Sequence, residues 1–114
     1  MIITFASSGL EEECNDERLM VRRQGAQRAK LLKRRLFDLK AASTLGIFYP
    51  PFRRPARCHE LKGNRKGQFS VDLDHPYRLI FKPLNNPLPL LPDGGVNWEK
   101  ITAIEILGIE DTHD

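Results

Sequence analysis

The chain has 114 residues, 40% of them hydrophobic and 29% charged, with a net charge of +3. That length suits one domain around one modest core, and the composition is not that of a disordered chain. No apolar run approaches the roughly 20 residues of a membrane span, and the opening MIITFASSGLEE lacks the basic flank and apolar stretch of a secretory signal, so Cys14 and Cys58 are expected to be reduced, buried thiols of a cytoplasmic protein.

Taken in chain order, Ile2, Ile3, Thr4 and Phe5 are β-branched or aromatic and predict a short strand. Ser8 followed three residues later by Glu11 fits a capping box, and Glu11, Glu12 and Glu13 favour the positive end of a helix dipole, so a short helix is expected there. A second helix is expected from about Asp16 to Ala42, because Ala29, Leu32, Leu36 and Leu39 recur at helical spacing, with Gly25 marking a break near its start. Between Arg22 and Lys40 eight basic residues face Asp38 alone. Such a one-sided run is either a solvated face or an anion-binding one, and Arg28, Lys33, Arg34 and Arg35 are the candidates for contact with RNA.

STLGIFYPPFRRPA is a loop, since Pro50, Pro51 and Pro55 cannot continue a helix. RCHELKG reads as a strand ending at Gly63 and NRK as a turn, where Arg65 and Lys66 offer further contacts to a phosphate backbone. GQFSVDL alternates, with Phe69, Val71 and Leu73 on one side and Gln68, Ser70 and Asp72 on the other. DHP turns the chain into the strand YRLIFK, so the three runs form an antiparallel meander. His75, before Pro76 in that turn, reads as structural. Residues 83–99 are a proline-rich excursion between the last two strands, with Trp98 expected as a core lid, and KITAIEILGIED is the final strand. The whole is a single α+β domain over residues 1–114, with helices on one face of a small, mostly antiparallel sheet.

Two histidines, a carboxylate and several cations fall on these strands and the tail: His59, Lys62, Arg78, Asp111 and His113. This set suits cleavage of RNA without a metal. The 2′-OH must lose a proton, the phosphate must be supported as charge builds, and the 5′-oxygen must gain a proton. No Cys/His spacing marks a metal site, no glycine-rich loop marks a nucleotide, and no cofactor is expected. Taken singly, each residue has a plainer reading. A strand histidine is often a hydrogen bonder, Lys62 reads equally as an edge-strand charge, and Arg78 as an ion-pair partner of Asp72 or Asp74.

HELKGNRKGQFSVDLDHPYRLIF, with the basic RAKLLKRRLFDLKAA before it and an Asp-x-His tail, resembles the HigB-type killer toxins of the RelE/ParE superfamily over nearly the whole chain. The resemblance implies two N-terminal helices packed on a small curved, mostly antiparallel sheet of four to five strands. It also implies a ribosome-dependent mRNA endonuclease of a type II toxin–antitoxin system, with ribosome and mRNA as targets and a HigA-like antitoxin as partner. The family's His and Lys on the second strand fall on His59 and Lys62, its tail pair on Asp111 and His113, and its phosphate-supporting sheet arginine on Arg78. Where the family commonly has a tail tyrosine this chain has Thr112, which cannot stack on a base. The runner-up readings are a non-enzymatic gyrase inhibitor of the ParE type and a catalytically weakened toxin.

Overall fold

A computed structural model of the chain describes residues 1–112. The elements run β1 (Ile2–Phe5), α1 (Ser8–Asn15), α2 (Glu17–Gln24), α3 (Ala26–Ala41), β2 (His59–Glu60), β3 (Phe69–Asp72), β4 (Tyr77–Pro83) and β5 (Ala103–Asp111). Short 3-10 turns lie at Leu45–Phe48, Gly63–Arg65 and Trp98–Lys100. The five strands form one sheet in the order β1-β5-β4-β3-β2. β1 runs parallel to β5 and every other pairing is antiparallel, so the expected α+β architecture and the β2–β3–β4 meander are both present.

Three local expectations are corrected. The cap of α1 is Ser7, not Ser8: Ser7 has the extended backbone a cap requires, and its Oγ accepts from the Leu10 N–H at 3.1 Å. The helix expected over 16–42 is two helices. Asp16 caps α2 by accepting from the N–H groups of Arg18 and Leu19, and Gly25, at φ 80 and ψ 161, ends α2 and begins α3. Only glycine enters that backbone region readily, so the break is complete rather than a kink. Finally, the strand expected to reach Gly63 lasts two residues. The Leu61 N–H still bonds the Gln68 carbonyl at 2.8 Å, but Gly63, at φ 67, then turns the chain into the 3-10 turn.

The helices cover one face of the sheet. Met20, Ala29, Leu32 and Leu39 pack on Phe69, Val71, Leu79, Phe81, Ile104 and Ile106, and Trp98 closes the core edge-on to Phe69 at 5.4 Å. Fully burying side chains of this size stabilises the fold by about 1.5–3 kcal/mol each. The alternate residues on β3 and β4, Ser70, Asp72, Arg78 and Lys82, are thereby turned to the face without helices. No helix among the described residues is long and apolar enough to cross a membrane.

Candidate active site

Register decides which side chains share the helix-free face. His59 stands opposite Ser70, and Asp72 stands opposite Arg78, which in turn stands opposite Glu110. Between β4 and β5 the register shifts: Ile80 pairs with Gly108 but Phe81 pairs with Ile106, leaving Leu107 as an extra residue. Such a bulge increases local twist and reverses the alternation beyond it. Glu110 therefore joins Arg78 on the helix-free face, whereas Asp111 pairs with Tyr77, whose ring packs against the core.

His59 is buried, 9% exposed. Its Nδ1 lies 3.1 Å from the Arg57 carbonyl. A carbonyl only accepts, so Nδ1 carries the hydrogen and the lone pair sits on Nε2. The ring stacks on Phe52, with centroids 4.1 Å apart and planes at 20°. Burial, the largest influence, holds the imidazole below its ordinary pKa, and the Arg78 and Arg57 charges push the same way; the bond to the Arg57 carbonyl and the Asp72 charge pull back only in part. His59 is therefore neutral at pH 7, with a proton acceptor on Nε2.

Asp72 is the hub beside it. Oδ2 accepts from Arg57 Nη1 at 3.0 Å, Oδ1 lies 3.3 Å from Arg78 Nε, and the backbone carbonyl accepts from Arg35 Nε at 2.9 Å. Oδ1 is buried and the Arg78 contact falls short of hydrogen-bond geometry; Ser70 Oγ is likewise buried without a hydrogen bond. Arg65 reaches from the turn after β2 to grip Glu110 through both oxygens, at 2.7 and 2.8 Å, and also bonds Gln68 Oε1. That grip holds the Glu110 carboxyl below the usual carboxylate range. The guanidiniums of Arg57, Arg65 and Arg78 thus face the carboxylates of Asp72 and Glu110, leaving one net positive charge beside a neutral imidazole.

Of the residues singled out in the sequence, His59, Arg65 and Arg78 come together on this face. Lys62 is exposed at the start of the 3-10 turn and Lys66 is exposed at its end. Asp111 lies on the helix side of β5, with β4 and β3 between it and β2; three strand spacings, and the three residues from Gly108, which is in register with His59, put its backbone roughly 17 Å from that of His59. His113 lies outside the described residues. Lys33 and Arg34 are on the exposed side of α3, paired with Glu17 at 3.1 Å and Asp38 at 3.4 Å. Arg28 makes a two-point contact with Asp74, and its guanidinium lies 3.4 Å from the Tyr77 ring centroid. Arg35 corrects the expectation of a surface contact: it is 7% exposed and ties α3 to the carbonyls of Asp72 and Pro55.

Phe52, Arg57 and Glu110 are members of the site that sequence reasoning missed. Both thiols are free and buried; burial pushes Cys14 up to about 12 and Cys58 higher still, which disqualifies either as a nucleophile. Among the described residues, no group of three or more His, Cys, Asp and Glu side chains is placed to hold a metal ion. Clefts of about 400 Å³ beside the end of α3 and about 480 Å³ around Phe37 do not include His59, Arg57, Arg65 or Arg78.

No protein-family model matches the sequence, and no curated protein matches it. Among solved structures the chain is similar to a YoeB/ParE toxin from Agrobacterium tumefaciens, with a TM-score of 0.58 and 12% identity, over 99% of this chain and 100% of that one. At that identity the likeness is one of fold.

Proposed function

We propose that this chain is the toxin of a type II toxin–antitoxin pair and cuts mRNA on the ribosome, by attack of a 2′-OH on the adjacent phosphate. The observation that carries the reading is a neutral histidine whose lone pair is left on Nε2, set among arginines on the helix-free sheet face, in a fold like that of a YoeB/ParE toxin. His59 Nε2 takes the 2′-OH proton as the oxygen bonds to phosphorus. Arg78 and Arg57 meet the charge that builds on the phosphoryl oxygens; the bond to Asp72 engages one of the five donors of Arg57, and the looser contact of Arg78 to Asp72 engages none. The bond from phosphorus to the 5′-oxygen then breaks, leaving a 2′,3′-cyclic phosphate. The second proton transfer, to that leaving oxygen, is assigned to Lys62 or to His113; Asp111, on the helix side of β5, enters only through His113. An antitoxin of the HigA kind is the proposed protein partner.

Translation reactions with mapped transcript ends test this. His59→Ala is expected to slow cutting by about 10²- to 10⁴-fold, the usual worth of a positioned base. Lys62→Ala and His113→Ala, assayed singly, identify the acid. Wild-type rates in His59→Ala and Arg78→Ala together would overturn the mechanism. One observation favours a non-catalytic, ParE-like gyrase binder instead: the arginines of the face already hold carboxylates of the protein. Gyrase inhibition with intact mRNA would support that reading.

A further inference from the structure

We infer that the outer face of the Phe52 ring is a stacking platform for one base of single-stranded RNA, beside the phosphate met by Arg57 and Arg78; the inference rests on the ribonuclease reading above. Phe52 stacks one face on the His59 imidazole at 4.1 Å and 20°, yet the residue is 48% exposed, so the ring is not there to complete the core. The arrangement is built rather than incidental. Phe52 at φ 67 and Arg57 at φ 49 both occupy the left-handed region that side-chain-bearing residues avoid. The segment is closed by the Phe52 N–H on the Cys58 carbonyl at 3.0 Å and the Arg57 N–H on the Arg53 carbonyl at 2.9 Å. It is pinned to β3 by the Asp72 N–H on the Ala56 carbonyl at 2.7 Å and by the Arg57–Asp72 ion pair.

An aromatic face held in this way beside a cation is what single-stranded nucleic acid requires: stacking tolerates any base, while the cation takes the backbone. The Arg57 guanidinium lies over the Phe52 ring, 5.2 Å from its centroid, so ring and cation already meet in a cation–π contact.

The test compares wild type, Phe52→Leu and Phe52→Trp on ribosomes programmed with mRNA, with kcat and KM measured separately. A second mRNA carries 2-aminopurine next to the attacked nucleotide and a 2′-O-methyl group that blocks cutting. Removal of one base stack is worth roughly tenfold in affinity. Phe52→Leu should therefore raise KM about tenfold while kcat falls less, and Phe52→Trp should recover KM. The 2-aminopurine should be quenched by the wild type and the Trp variant but not by the Leu variant. An abasic nucleotide at that position should weaken wild type about tenfold and erase its advantage over Phe52→Leu, a comparison that holds even if a variant folds poorly. Wild-type cutting with an unchanged KM in Phe52→Leu, or faster cutting by Phe52→Leu as expected of a lid, would overturn the platform and leave the ribonuclease reading intact. No cutting by wild type would remove both.

Discussion

His59 carries a sign that can be checked twice. Its folded pKa lies below the unfolded value of about 6.5. Above that value both states are neutral and pH has no effect through this group. As pH falls below about 6.5 the unfolded chain takes up a proton that the native chain resists, so stability declines until the folded pKa is passed. Asp74 and Glu110 titrate in a lower window: their carboxyls are held down by Arg28 and Arg65, so their contributions are lost only as pH falls below their ordinary values of 3.8 and 4.5. Urea unfolding at pH 7.5 and 5.5 should show a loss that His59→Gln reduces. If His59 is the base of the proposed reaction, the same depressed pKa places the acid limb of kcat/KM below pH 6.5. Asp72→Asn should move that limb lower still, since the Asp72 charge is one of the influences raising the His59 pKa, and should lower the plateau by freeing Arg57 and Arg78. A limb that moves to higher pH in Asp72→Asn would contradict the assignment of His59 as base.

The elements were legible where a period runs long enough to be counted. Leu32 and Leu39 on α3, and Phe69 with Val71 on β3, are buried as their spacing predicts. Gly25 showed as a break, and the structure makes it a full boundary between two helices; Gly25→Ala should cost about 1–3 kcal/mol in urea unfolding, because alanine must enter a backbone region that glycine alone tolerates. A cost below the error of that measurement would show that α2 and α3 can join without it. The site was less legible. Counting alternation forward from Ile104 and Ile106 puts Asp111 on the helix-free face, but the extra residue at Leu107 exchanges Asp111 for Glu110; the only sign of it in the sequence is the change of apolar phase from Ile104 and Ile106 to Leu107 and Ile109. Nothing local announces Phe52 and Arg57 either. Phe52 meets His59 across seven positions only because two residues adopt left-handed backbone between proline-rich turns, a choice that tertiary contacts impose.

In the whole molecule the cations of α3 serve in two ways, which separates the proposed docking from folding. Arg35 is buried and holds main-chain carbonyls of the β3 end and the preceding loop. Lys33 and Arg34 pair with Glu17 and Asp38 at the surface, with their side chains more than 60% exposed. Exposed pairs of that sort are worth about 0–1 kcal/mol, so these cations can exchange a carboxylate for a ribosomal phosphate at little cost. The two kinds should therefore fail differently. Arg34→Ala and Lys33→Ala should leave the urea midpoint nearly unchanged, weaken co-sedimentation with ribosomes, and reduce its logarithmic salt slope by about one for each phosphate no longer neutralised. Arg35→Met should do the reverse, costing about 1–3 kcal/mol of stability by stripping buried carbonyls of their donor while leaving the slope of the surviving folded protein alone. If Lys33 and Arg34 variants bind ribosomes with the wild-type slope, the basic run on α3 is a solvated face, and the attraction for RNA must come from the arginines around His59.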